Sequence, residues 1–141
     1  MIKKYSLLAA NALAALKNAY CPYSGYKVGS AVLADDASIH RGCNVENASY
    51  GLTICAERVA VGVAVSKGKK KFKAVAVASE RDEFIRPCGA CRQYISEFGQ
   101  DIDIVMVSAN GRYIVEKLSS LLPKSFSLKP VNTAEKHSGK R

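Results

Sequence analysis

Two short apolar runs constrain the fold of this 141-residue chain more than any other feature. AVAVA, residues 74–78, and IDIVMV, residues 102–107, are nearly unbroken rather than alternating. Runs of this kind read as central strands covered on both faces. Segments able to cover them lie on either side. CAERVAVGVAVSKGK, from Cys55, has the alanine, valine and glutamate content of a helix and stops at Lys67–Gly68. CGACRQYISEF, from Cys88, reads as another, with Pro87 suited to its first turn and a stop near Gly99.

Nearer the N-terminus, Ala9, Leu13, Leu16 and Tyr20 step by four, three and four, which predicts an amphipathic first helix. After a loop, CPYSG, the stretch KVGSAVLADDASIHRGCNVENASY reads as two strands joined at Asp35–Asp36. Small and apolar residues fall on both faces of the first, so it should be well buried. The turn Ala109-Asn110-Gly111 leads to a further strand or helix start at Tyr113, and LSSLLPKSF closes the ordered part. The sum is an α/β fold, a single three-layer α-β-α sandwich with a mixed sheet. Residues 1–128 form the one expected domain, and residues 129–141 are expected to be a disordered basic tail.

No apolar run approaches the roughly 18 residues that a membrane span needs. The opening MIKKYSLLAANALAALKNAY superficially resembles a signal peptide, but Lys17 and Asn18 interrupt it. Five cysteines, an odd number, argue against a secreted disulfide framework, and the expected location is cytoplasmic. The net charge of +9 sits largely in KGKKKFK, residues 67–73, and in the tail. Neither stretch has the interleaved aromatics of a base-stacking surface, so both read as solvated, with no nucleic acid and no membrane as partner.

RPCGACRQY, residues 86–94, holds Cys88 and Cys91 at C-x-x-C spacing. That spacing suits half a zinc finger, a redox pair or part of a catalytic metal site. A finger needs a second such pair or paired histidines, whereas His40 and His137 are isolated. A third thiol is Cys55, which opens the other helix 33 residues earlier. A βαβ path would bring both helix N-termini side by side at the strand ends where open α/β sheets bind ligands. Thiolates there are stabilised by free N–H groups and helix dipoles. With 48% hydrophobic residues the chain can bury a core without a metal staple, which weakens a purely structural role for zinc.

Three protein ligands leave the fourth position of zinc open, as in catalytic sites. Glu57 would neighbour whatever occupies that position and could take its proton. Taken singly, a C-x-x-C is as often a buried thiol pair or a non-catalytic site, and a C-x-E at a helix start merely favours the dipole. Together, with Pro87, they match the general zinc-deaminase signature with cysteine in place of histidine.

CAER at 55–58, PCGACRQ at 87–93 and GCNVENASYG at 42–51 resemble the small homotetrameric cytidine deaminases, as do CPYSGYKVG and LLPKSF. The resemblance spans about Ala9 to Phe126 and implies a cytidine-deaminase-like fold. It implies Cys55, Cys88 and Cys91 as ligands of one Zn2+, with Glu57 as catalytic proton shuttle. Hydroxide on zinc would attack C4 of cytosine while Glu57 protonates N3 and then the departing amine, yielding ammonia and uridine or, from 2′-deoxycytidine, deoxyuridine. Arg58 would donate to the ligand sulfurs and offset three thiolate charges.

The resemblance also implies that Asn44 and Glu46 grip the ribose 3′-hydroxyl, which favours free nucleosides, the substrates of pyrimidine salvage, over polynucleotides. Ala56 would present its N–H to the base carbonyl, and Tyr26 would stack near the base where the family usually has phenylalanine. Phe126 would enter a neighbouring subunit's site, in a homotetramer with shared active sites. Val59 and Arg86 depart from the family's usual threonine and small residue, and Arg86 adds a charge near the metal. Cys21 and Cys43 read as buried small hydrophobes. Rival readings are a blasticidin-type deaminase, which shares the cysteine motifs but not the Asn44–Glu46 pair, a nucleic-acid-editing deaminase, and a non-enzymatic zinc-binding module.

Overall fold

The pleat divides the AVAVA run between two cores. The computed structural model describes residues 4–131. In it the run lies within strand β3 (Phe72–Ser79). Val75 and Val77 point to one side, where they meet α2 (Ala56–Ser66) and α3 (Gly89–Ser96) through Val61 and Ile95. Ala74, Ala76 and Ala78 point to the other, against Leu8, Ala9 and Ala12 of α1 (Ser6–Ala15). Alanines on that face let the single helix approach closely. Gly29 extends the close fit, since a Cβ there would stand 2.1 Å from the carbonyl oxygen of Ala12.

Among the described residues five strands form one sheet in the order β2-β1-β3-β4-β5. β1 (Val28–Ala34) pairs antiparallel with β2 (Ile39–Cys43) and with β3. β3 and β4 (Asp103–Val107) are parallel, and β5 (Tyr113–Lys117) is antiparallel to β4. A short helix, α4 (Leu118–Leu121), follows β5. The expected three-layer sandwich with a mixed sheet is therefore present, and Tyr113 begins a strand rather than a helix. Among the described residues no helix is long and apolar enough to cross a membrane.

Several local expectations are corrected. The buried stripe of α1 is Leu8, Ala9, Ala12 and Ala15, whereas Leu13 and Leu16 are half-buried and Tyr20 is exposed. The helix ends at Ala15 and tightens into a 3-10 turn, so the phase read through Tyr20 is lost. β2 stops at Cys43, and residues 44–50 leave the ladder, with Val45 making isolated bridges to Tyr20 and Ile54. Pro87 precedes the N-cap, Cys88, instead of lying in the first turn of α3. Cys21 and Cys43 are half-buried rather than fully buried. Residues 129–131 have no regular structure, and the rest of the expected tail, 132–141, lies outside the described residues.

Candidate active site

α2 runs back along the sheet before β3, and α3 starts after β3 ends, so one strand brings the two helix N-termini together. The path from Cys55 to Cys88 is thus helix–strand–helix, and the βαβ unit expected from the sequence is β3-α3-β4 instead. Cys55 and Cys88 are the N-cap residues of α2 and α3, both in extended conformation and neither with a side-chain cap. Their sulfurs therefore sit where first-turn N–H groups and helix dipoles favour negative charge.

The sulfur atoms of Cys55, Cys88 and Cys91 all lie within 4.8 Å of one another, with Cys55 and Cys88 3.9 Å apart. Thiolates at tetrahedral corners around zinc stand about 3.8 Å apart, given Zn–S bonds of about 2.3 Å. Crowding shows in their acidities. Hydrogen bonding from Cys91 and then from Arg58 lowers the Cys55 thiol to about 5. Cys91 is driven the other way, first by its bond to Cys55 and then by burial. Three sulfur donors within 4.8 Å of one another, two of them on helix N-caps, are a donor set that fits one zinc ion. Arg58 Nη2 faces the Cys55 sulfur at 3.7 Å and the Thr53 carbonyl oxygen at 3.4 Å.

Glu57, in the first turn of α2, is only 4% exposed. Burial, more than the charge of Cys55 nearby, pushes its carboxyl up to about 7. A carboxyl poised there can both accept and donate a proton near neutrality. It lines a cavity of about 370 Å3 together with Cys55, Ala56, Cys88, Tyr26, Asn44 and Glu46. That volume suits a small organic ligand.

Asn44 and Glu46 already carry structural duties. Asn44 accepts the Val28 N–H at 3.0 Å and donates to the Tyr26 carbonyl at 2.8 Å, which ties the start of β1 to the cavity wall. Glu46 accepts the N–H groups of Tyr23 and Ser24 at 3.0 and 3.1 Å and the Ser24 hydroxyl at 2.5 Å. These bonds, led by those from Ser24, hold its carboxyl below the usual range and keep it ionised. One Asn44 N–H and part of the Glu46 lone-pair capacity remain for a ligand.

Phe126 is not brought to the cavity within the chain. It is 70% exposed, with its carbonyl bonded to Gln93 at 2.9 Å. Thr53, Ile54 and Ile85 line the cavity outside any of the quoted motifs, Val28 lines it from within CPYSGYKVG with no role read for it, and Arg86 lines it beside the cysteine pair.

Three thiols clustered at paired helix N-termini, with a buried acid beside them, fit a zinc-dependent enzyme. Sequence and structural comparisons specify which. The family model described as the cytidine and deoxycytidylate deaminase zinc-binding region matches residues 2–108. A probable cytidine deaminase of Dictyostelium discoideum is 51% identical over 110 residues, covering 77% of this chain and 74% of its own. A cytidine deaminase of Sporosarcina psychrophila is 41% identical over 128 residues, 90% and 94% of the two chains. The crystal structure of the cytidine deaminase of Burkholderia pseudomallei aligns with a TM-score of 0.82 at 42% identity, covering 89% of this chain and 100% of that one. The chain belongs to the cytidine deaminase family of zinc-dependent enzymes.

Proposed function

We propose that the protein converts free cytidine and 2′-deoxycytidine to uridine and 2′-deoxyuridine, releasing ammonia, as a step of pyrimidine salvage. Support comes chiefly from Glu57, a buried carboxyl in the wall of the cavity onto which two of the three clustered cysteines open. Cys55, Cys88 and Cys91 would hold Zn2+, which when bound supplies the Lewis acidity that makes water nucleophilic at neutral pH.

Glu57 then does the proton work. It accepts a proton from the attacking water and delivers it to N3 of the ring, then takes the second from the hydroxyl now on C4 and passes it to the amine as the C–N bond breaks. An acid near neutrality in its folded setting can do both without a large uphill step. Ala56 offers its N–H to the base carbonyl at the start of α2, and Tyr26 forms a wall beside the base. Asn44 and Glu46 bind the 3′-hydroxyl with the bonding capacity left over from their loop contacts. A phosphodiester at that position would bring like charge to an ionised Glu46, so polynucleotides are disfavoured.

Arg58 offsets part of the thiolate charge. Phe126, exposed in its own chain, closes a neighbouring subunit's cavity in a homotetramer. Five free cysteines suit a reducing compartment, and we assign the protein to the cytoplasm. The test is to incubate zinc-loaded protein with cytidine, deoxycytidine and a cytosine-containing oligonucleotide, measuring products and bound zinc. Nucleoside turnover with one zinc per chain is expected. No turnover of either nucleoside, or faster reaction of the oligonucleotide, would overturn the reading.

A further inference from the structure

Tyr26 is fixed at its backbone more firmly than at its ring. Its N–H donates to the Ser24 hydroxyl at 3.0 Å, and its carbonyl accepts from Asn44 at 2.8 Å. Among the described residues its hydroxyl has no hydrogen-bond partner. Tyr26 lines the cavity, and its ring is covered by the guanidinium of Arg81, 4.5 Å from the ring centroid. That is well inside the reach of a cation–π contact, about 6 Å. Among the described residues no carboxylate pairs with Arg81, so nothing competes with the ring for its charge. Arg81 is not itself part of the cavity wall.

The guanidinium is delivered by an anchored loop. The Arg81 N–H donates to the Ser79 hydroxyl at 3.2 Å, and its carbonyl accepts the Ala109 N–H at 3.0 Å from the turn between β4 and β5. One residue on, Asp82 pairs with Arg112 at 3.8 Å, and Arg112 also lies over Phe84 at 5.7 Å. The turn that ends β4 thus holds the loop, the loop holds Arg81, and Arg81 holds the ring.

We infer that Arg81 is a positioning residue for the substrate, acting through Tyr26: it backs the ring and fixes one wall of the cavity before the nucleoside arrives. The inference rests on the reading of Tyr26 as a nucleoside-binding wall. A ring that must be immobilised on binding lowers affinity, whereas one already immobilised does not. Proton transfer at Glu57 is untouched, so the effect belongs in binding rather than in the chemical step.

The experiment is a double-mutant cycle on the zinc-loaded enzyme, with uridine binding measured by calorimetry alongside cytidine kinetics. Arg81→Met should raise KM for cytidine and Kd for uridine by about 3- to 10-fold, with kcat within about twofold of the parent. Arg81→Lys, which keeps the charge but not the planar stack, should recover part of the loss. In a Tyr26→Leu background Arg81→Met should change neither constant more than about twofold, since the ring through which it acts is gone. An unaltered KM in Arg81→Met, or a loss of the same size without the tyrosine, overturns the assignment. Should Arg81→Met fail to fold, Arg81→Lys carries the same cycle. A parent enzyme that turns over no cytidine would instead overturn the functional reading beneath it.

Discussion

Gly42 lies directly under Ala60: a Cβ added to it would stand 2.3 Å from the Ala60 amide nitrogen and 2.7 Å from the carbonyl oxygen of Ala56. This contact seats α2 on β2, and α2 carries Cys55 at its cap and Glu57 in its first turn. The atoms in the way are backbone, so a methyl group there must shift the helix. Gly42→Ala is expected to destabilise the protein by about 1–3 kcal/mol. Thermal unfolding should show a Tm lower by about 3–15 °C. A variant that melts with the parent would show that α2 is not seated by this contact.

Glu57 is buried beside the thiol cluster and lines the cavity. Glu57→Gln keeps its size and removes its acid–base capacity. Turnover of cytidine should fall at least ~10²–10⁴-fold while bound zinc and Tm stay close to the parent. Full activity in that variant would remove Glu57 from the proton work.

Glu46 braces residues 23–24 and faces the cavity. Glu46→Ala should therefore reduce activity on cytidine far more than any residual activity on free cytosine, which has no sugar. Ser24→Ala removes one of the three bonds to Glu46, together with the acceptor of the Tyr26 N–H, and should cost less. Equal losses on nucleoside and free base would mean that Glu46 supports the loop and does not hold the ribose.

Patterns with a physical period were legible in the sequence, and those set by tertiary packing were not. The continuous runs at 74–78 and 102–107 could be satisfied only by covered strands, and both are strands. Cys55, Cys88 and Cys91 could be joined because helix starts are announced by local chemistry. The first helix was legible at Ala9 and Leu13, which pack on the alanine face of β3. An alanine-rich segment is weakly amphipathic, however, so Leu8 and Ala12 were missed and the phase was carried past the helix end to Leu16 and Tyr20. The dual duty of Asn44 depends on Tyr26 and Val28 lying across a strand pair, which no local motif encodes. Arg81 stood beyond reach for the same reason: its meaning comes from a ring 55 positions away in sequence.

Arg58 Nη2 stands 3.7 Å from the Cys55 sulfur, the guanidinium also acts on Cys91, and its Nε is buried with no partner among the described residues. Arg58→Ala removes a cation beside the acidic Cys55 thiol and leaves the three sulfurs in place. Zinc affinity, measured by competition with a chromophoric chelator, should fall about 10–100-fold. Prolonged chelation should abolish activity in parent and variant alike, and added zinc should restore it in both. An unchanged zinc affinity would leave Arg58 as packing for the Thr53 turn.

His40 lies on the α2 side of β2, buried, with Nε2 2.9 Å from the Ser38 hydroxyl. Ser38 itself donates to Asp36 at 2.5 Å, so the imidazole carries its proton on Nε2 and leaves Nδ1 unpartnered. Burial is the main cause that lowers its pKa from 6.5; Lys67 and Lys69 add to the shift and Asp36 opposes it. The unfolded chain therefore binds the proton more readily than the folded one. The stability held by the neutral ring is present above pH 6.5 and is lost as pH falls from there through the lower folded-state value. Acidification from pH 7.5 to 5 should lower the Tm of the parent more than that of His40→Gln, whose side chain does not titrate. Parallel Tm profiles for the two proteins would show that the imidazole is accommodated equally well with and without its charge.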